Sequence, residues 1–459
     1  MKLPEVLIYT KEDEKKALYY YNDEIIEYIK KYNIIGYIHW NDLKYKKGLP
    51  IEPKYLWILL NMDRKIHFKD LNFHNWTFKY YINGKIQKFL VDVDRLKNIE
   101  FSKEINDLIN DKYKINAIIE ESIASSQIEG AKTTTKMAKE IIKSGKKPKN
   151  NDEIMVYNNY EAMKYITNEL KNKDFTIDEI LEVHKLISKD LIENNEVGEF
   201  RTTNDVIVKD TRTNKTLHIP PNYELIEPSI NELCNFANNK EDSTHPIIKG
   251  IIIHFLIGYI HPFVDGNGRT ARALFYWYML NSGYTIFEYL NVSEYINKSK
   301  VKYKNSYLYV ESHKCDEYEG DLTYFIDYML DCIEKSMNDV LDCIEKSMND
   351  VVNFIKNIGK FINELNEYNK KLKLSKNEYK IYNNLSNDLK NNNLNLRQLD
   401  ILEEIIKNPK KRFTIKYIVN SYGVAYATAR NDLNIFAEFG ILQKKKAGKE
   451  FIYVPNIDF

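Results

Sequence analysis

HPFVDGNGRTAR, residues His261 to Arg272, concentrates in one short loop the residue types that could surround a polyphosphate. Gly266 and Gly268 flank Asn267, so the backbone can turn tightly and approach a ligand closely. The run TARALFYWYML that follows is apolar almost all round, as expected of a helix inside a bundle, and its first unpaired N–H groups would point back at the loop. An anion belongs at such a terminus. Arg269 and Arg272, spaced i, i+3 on the first turn, can clamp phosphate oxygens from one side. Asp265 is placed to hold a Mg²⁺ bridging two phosphates. His261 ends the preceding apolar run, Pro262 and Phe263 fix the turn, and its imidazole is expected near neutral pKa beside the anion site. His254, seven residues earlier on the same helix face, reads as a buried structural histidine.

Neither common nucleotide motif is present. No G-x-x-x-x-G-K-[ST] occurs, and DGNGRTA lacks the third glycine and the βαβ setting of a dinucleotide fold. Working outward, helical periodicity runs from Pro246 into the loop, and VGEFRTTNDVIVKDTRTNKTLHIPPNYELI carries β-branched runs about a polar turn, a small hairpin closed by Pro220 and Pro221. From Glu104 to Ile128 the spacing of Ile105, Leu108, Ile109, Ile115, Ile118, Ile119 and Ile123 predicts a helix, stopped by Gly130. Nearer the start, TFKYYINGKIQKFLVDV predicts a hairpin turning at Asn83-Gly84.

DCIEKSMNDVL (Asp331–Leu341) is followed at once by DCIEKSMNDVV. Eleven residues make close to three helical turns, so the duplication lengthens a helix by ~16 Å while rotating its face by only about 20°. Cys332/Ile333 and Cys343/Ile344 then stay nearly in register. An Asn- and Lys-rich linker leads to RQLDILEEIIKN, TIKYIVNSYG and AYATARNDLNIFAEFG, three helical patterns, and to ILQKKKAGKEFIYV, a strand, basic turn and strand: the layout of a winged helix. Residues 397–459 hold 11 basic and 7 acidic side chains, a net +4, in a chain whose 67 Lys plus Arg nearly cancel 66 Asp plus Glu. DNA is the partner this asymmetry suggests, with Arg430 and Lys444, Lys445, Lys446 and Lys449 on phosphates. The four cysteines form no C-x-x-C pair, which suits a reducing cytoplasm, and no apolar run approaches the ~20 residues of a membrane-spanning helix.

HPFVDGNGRTAR matches every defined position of H-P-F-x-[D/E]-G-N-G-R-x-x-R and so resembles the Fic-domain family, with VGEFRTT and HIPP similar to its target-positioning flap. The resemblance implies a mainly α fold: a Fic-type helical bundle with a small β-hairpin flap, plus the C-terminal winged-helix domain. It implies an N-terminal extension over residues 1–100, a catalytic domain over 101–330 including an inhibitory helix 115–130, a repeat-containing helix and linker over 331–395, and the winged helix over 396–459. The implied activity is protein adenylyltransfer: AMP passes from ATP to a Tyr, Thr or Ser hydroxyl of a target protein, the chain itself included.

In that scheme His261 takes the hydroxyl proton, Asp265 holds Mg²⁺, Gly266, Asn267, Gly268, Arg269, Thr270 and Ala271 line the phosphates, and Arg272 grips the γ-phosphate. Val197, Gly198, Glu199 and Phe200 of the flap, and Tyr307, fall where related proteins approach the nucleotide. Ser125, Glu129 and Gly130 in SSQIEG fit the inhibitory pattern [S/T]-x-x-x-E-[G/N], in which Glu129 pairs with Arg272 and blocks the γ-phosphate position. The same glutamate leaves removal of AMP open as a second activity. Two other readings stand beside this one: a DNA-binding regulator that uses nucleotide as a signal, and transfer of phosphate or of another nucleotide. A homodimer is the candidate assembly.

Overall fold

In the computed structural model, residues 3–97, 111–144, 147–210, 213–314, 318–342, 394–408, 410–438, 440–447 and 450–456 are described. They group by contacts into two units, one from Met1–Ile99, Glu120–Thr134 and Pro148–Ser336, the other from Glu100–Ile119, Thr135–Lys147 and Met337–Phe459. This division does not follow chain order: Thr135–Lys147 goes with the C-terminal unit rather than with the rest of 101–330.

The first unit is built on two helices. Pro246–Ile260 starts with proline at its first position, where no intrahelical donor is lost, and buries 13 of its 15 residues. Asn267–Asn281 buries 12 of 15. Both are apolar around most of their circumference, so each must be enclosed by other elements. Gly250 lets them approach: a Cβ there would meet Met279 Sδ at 2.9 Å and a Tyr278 ring carbon at 3.1 Å. Around this pair lie Asn151–Asn168, Ile177–Ser188, Ile226–Asn238 and the later part of Asp111–Ile128. The three-stranded sheet pairs Lys69–Phe73 antiparallel with Trp76–Tyr80, and the latter parallel with Gly320–Asp321. Phe78, fully buried, sets its ring edge-on to Phe255 at 5.6 Å, tying the sheet to the central helix.

One expectation is overturned here. The hairpin turns between Phe73 and Trp76, not at Asn83-Gly84. Asn83 instead accepts the Ile86 N–H at 3.0 Å and begins the helix Gly84–Lys97. An Asn-Gly pair serves as readily for a helix start as for a hairpin turn, and Ile86, Leu90 and Val93, all buried, follow a helical spacing that decides between them. The flap hairpin does form, with Val208↔His218 and Lys209↔Thr216 paired antiparallel. The helix bearing the first repeat copy runs over 323–342, with Cys332 and Ile333 buried. The second copy, with Cys343 and Ile344, and most of the linker lie outside the described residues.

The C-terminal part of the second unit has the expected winged-helix layout. Leu396–Lys407, Ile415–Tyr422 and Tyr426–Glu438 enclose Ile401, Ile405, Ile418, Leu433 and Phe436, and the wing Leu442–Ala447 pairs with Glu450–Pro455. Phe413–Thr414 completes the sheet on the other side of Glu450–Pro455. Asn420 of the second helix donates to Lys143 O at 2.9 Å, so a helix from mid-chain, Thr135–Ser144, adds to this unit.

Buried histidines set a pH limit on stability. His39, His184 and His254 are 2%, 0% and 0% exposed. Burial lowers His39 from 6.5 to about 2 and His184 to about 4, and takes His254 well below its usual value. All three bind protons less well folded than unfolded, so their contribution is complete above pH 6.5 and is lost as pH falls. Each weakens folding by up to about 1.4 kcal/mol per pH unit below that point. Urea midpoints measured at pH 7.5 and 5.0 should therefore fall markedly on acidification, and an unchanged midpoint would contradict the assignment.

Candidate active site

His261 caps the central helix in a left-handed conformation, φ 51°, which turns the chain out of the helix and into the loop. Its Nδ1 lies 3.2 Å from Gly258 O, a geometry that places the proton on Nδ1 and the free lone pair on Nε2. Its pKa is not near neutral as expected: it is lowered to about 4, chiefly because burial disfavours the imidazolium, with His218 and Arg201 adding repulsion. The imidazole is thus neutral at pH 7, and its Nε2 is able to accept a proton.

The loop holds its own shape. Asn267 Oδ1 accepts the Phe263 N–H at 2.9 Å while Asn267 Nδ2 donates to Phe263 O at 2.7 Å, so this side chain staples the loop. What Asn267 can offer a ligand is main-chain N–H. Gly266, φ 83°, enters the following helix in a conformation suited to glycine. Thr270 and Ala271 are buried in that helix, and the Thr270 N–H is already spent on Gly266 O at 2.9 Å, so the free main-chain donors are those of the first turn before them. Arg269 donates to Ile187 O at 3.1 Å and to Asp265 Oδ2 at 3.2 Å. The Asp265 side chain is 61% exposed. One open carboxylate suits Mg²⁺, which commonly takes one or two carboxylates and completes its shell with water and phosphate oxygens.

Glu129 meets this loop from the end of Asp111–Ile128. Arg272 Nη2 donates to Glu129 Oε1 at 2.7 Å and to Ser125 O at 2.9 Å, and Arg272 Nε donates to Ser125 Oγ at 2.8 Å. Burial raises the Glu129 carboxyl, but Arg272, then Arg269 and His261, bring it below its ordinary value. Arg272 Nη1 is buried and makes no hydrogen bond among the described residues. Gly268 lies against Glu129 so closely that a Cβ there would collide with Oε1.

The helix carrying Glu129 is fastened below and at its end. Glu121 accepts from Tyr276 Oη at 2.9 Å, from Ser293 N at 2.9 Å and from Ser293 Oγ, and Asn159 Nδ2 donates to Ser122 O at 3.1 Å. Lys300 Nζ donates to Gln127 O and, at 3.4 Å, to Ile128 O, placing a cation on the helix C-terminus one residue from Glu129. Gly130, φ 108°, then leaves the helix.

The flap is clamped by a residue that sequence reading passed over. Arg201 donates from Nε to His261 O at 2.9 Å, from Nη1 to Thr203 O at 2.7 Å and from Nη2 to Pro221 O at 2.6 Å, while its backbone N–H bonds Pro262 O at 2.9 Å. It follows Val197, Gly198, Glu199 and Phe200 directly, and Phe200 sits 5.6 Å from Phe263. His184 was also missed: it bonds both Asp265 O and Gly198 N. Tyr307 packs between Phe255 at 5.2 Å and Phe325 at 4.5 Å, in the aromatic core beneath Gly258. His254 is structural as expected, with Nε2 2.8 Å from Tyr303 Oη.

Comparison with known proteins matches residues 174–279 to the model of the Fic/DOC family and residues 397–453 to that of the DeoR-like helix-turn-helix domain. A protein adenylyltransferase Fic of Nematostella vectensis is 28% identical over 55% of this chain and 55% of its own length. One from Drosophila melanogaster is 33% identical over 39% of this chain and 32% of its own length. The chain thus spans between about a third and about half of these relatives. The solved structure of Fic-1 from C. elegans (aa134–508) aligns with TM-score 0.49 at 20% identity, over 73% of this chain and 87% of that one. The loop from His261 to Arg272 lies inside the first matched segment, and the chain therefore carries a Fic domain of the Fic/DOC family and, at its C-terminus, a DeoR-like helix-turn-helix domain.

Proposed function

We propose that this chain is a protein adenylyltransferase held inactive by Glu129. The observation that carries the reading is the His261 tautomer: with Nδ1–H committed to Gly258 O, Nε2 is a ready base beside a loop of main-chain donors and two arginines. A target hydroxyl gives its proton to His261 Nε2 as its oxygen bonds to the α-phosphorus of ATP. The bond from that phosphorus to the bridging oxygen breaks, and pyrophosphate leaves. The loop amides, Arg269 and Arg272 hold the triphosphate in line and balance its charge. Asp265 would hold Mg²⁺, which neutralises phosphate charge when bound. The relatives named protein adenylyltransferase Fic support this chemistry. Incubating the Glu129→Gly variant with a target lysate and ATP labelled at either the α- or the γ-phosphate tests it. Label from the α-phosphate should appear on protein, whereas label from the γ-phosphate alone would point to phosphate transfer.

The Arg272 contacts support the autoinhibitory part of this reading. While Nη2 is engaged by Glu129, the guanidinium cannot turn to a γ-phosphate without breaking a charged pair. Lys300 helps to hold Glu129 in place through the helix end. Replacing it with Met should raise basal AMP transfer by several-fold, on the order of the ~1 kcal/mol that a cation at a helix C-terminus supplies. The gain should vanish in a Glu129→Gly background, as steady-state rates of the single and double variants would show.

The helix-turn-helix supports a second role. Tyr426, Ala427, Arg430 and Asn431 are exposed on the third helix of the winged-helix fold, and Lys444, Lys445 and Lys446 are exposed on the wing. Lys449 lies outside the described residues. DNA docked on these elements would be read by the helix and gripped at phosphates by the wing. Duplex binding followed by fluorescence anisotropy should weaken with salt, and Lys445→Glu with Lys446→Glu should flatten the log–log slope by about 2. Binding that ignores salt would favour a protein-docking winged helix.

A further inference from the structure

His184 projects from Ile177–Ser188 with no exposure and joins two loops that are far apart in sequence. Its Nε2 is 3.0 Å from Asp265 O, and the Gly198 N–H donates to its Nδ1 at 3.2 Å. Nδ1 can accept only if the ring proton is on Nε2, so the two bonds require each other. The ring lies flat on Phe263, 3.7 Å between centroids and 4° between planes. It also touches the place a Cβ of Gly266 would occupy, at 3.4 Å from both Cδ2 and Nε2.

This arrangement sets the direction of a loop amide. In a trans peptide the C=O and the following N–H point in opposite directions. With Asp265 O turned onto His184, the Gly266 N–H must point away from His184, toward the other side of the loop. On the flap side, Gly198, φ 75°, is held against the same helix, where a Cβ would meet Lys185 Cβ at 3.0 Å and Leu181 O at 3.3 Å. One ring therefore fixes the orientation of the Asp265–Gly266 peptide and the starting point of the flap together.

We propose that His184 is a positioning residue for nucleotidyl transfer: it registers the phosphate-binding loop against the flap by holding Asp265 O and Gly198 N on opposite edges of one imidazole. The proposal rests on the adenylyltransferase reading. Its neutral ring contributes no proton to the reaction. A side chain that merely fills space would be replaced by any aromatic of similar size, and this gives the test.

In a Glu129→Gly background, His184→Phe keeps the stack on Phe263 and removes both hydrogen bonds, whereas His184→Gln retains a donor and an acceptor. His184→Phe is expected to lower kcat by about 100-fold, the scale of a ~1 Å misplacement of reacting groups, and His184→Gln to recover most of that loss. Hydrogen exchange at the Gly198 amide and in the segment 263–268 should quicken in His184→Phe and stay near the parent in His184→Gln. If the parent transfers no AMP, the adenylyltransferase reading is lost and exchange alone decides the role of His184. Unchanged exchange in His184→Phe, or equal losses in both variants that track their thermal midpoints, would overturn the proposal.

Discussion

Replacing His261 with Ala in a Glu129→Gly background is expected to lower AMP transfer by between about 10²- and 10⁴-fold, the usual range for a general base. The argument is local. Its Nδ1 is spent on Gly258 O, which leaves Nε2 as the proton acceptor, and burial holds its pKa down to about 4. At pH 7 nearly every molecule then carries the competent base form, so the variant removes a group that is fully active rather than partly so. ATP affinity should change little, because in the proposed reaction the loop amides and the arginines, not His261, would hold the phosphates. Equilibrium binding of ATP beside single-turnover rates would separate the two effects: loss of binding in place of loss of rate would assign His261 to the pocket wall instead.

Glu129→Gly on its own is expected to raise AMP transfer by roughly 10- to 100-fold, the span of an ordinary coupling between two sites. Arg272 is 2% exposed and keeps its two bonds to Ser125 without the carboxylate, so its position survives while the Nη2 hydrogen given to Glu129 becomes available. Glu129→Gln separates charge from backbone freedom: it preserves length, loses the ion pair and should fall between wild type and the glycine variant. The loss of the pair should also lower the thermal midpoint of the apo protein, and ATP with Mg²⁺ should restore part of it, since ligand binding to the folded state stabilises it. A glycine variant no faster than wild type would remove autoinhibition from the account while leaving the transfer chemistry intact.

Legibility differed between parts of the molecule for physical reasons. The loop could be read because its chemistry is local: glycines, a carboxylate and two arginines stand within twelve residues, and the helix that follows announces itself by its apolar run. Glu129 could be proposed as the partner of Arg272 only through the resemblance, since the contact links positions 143 apart. His184 and Arg201 were passed over because most of what they hold is main chain, and a backbone carbonyl leaves no mark in the sequence. A histidine within an apolar helix stripe reads as core, and His184 is indeed core by exposure. The pKa of His261 was misjudged for a related reason, because burial depends on what encloses the ring. Asn83 misled because one residue type serves both turns and caps, and only Ile86, Leu90 and Val93 beyond it favour the helix.

The pocket itself offers the most direct test. Crystals of the Glu129→Gly variant soaked with ATP and Mg²⁺ should show the triphosphate along the loop from Gly266 to Arg269, the γ-phosphate on Arg272 and the α-phosphorus on the Nε2 side of His261. A triphosphate bound elsewhere, or an imidazole turned away from it, would contradict the account.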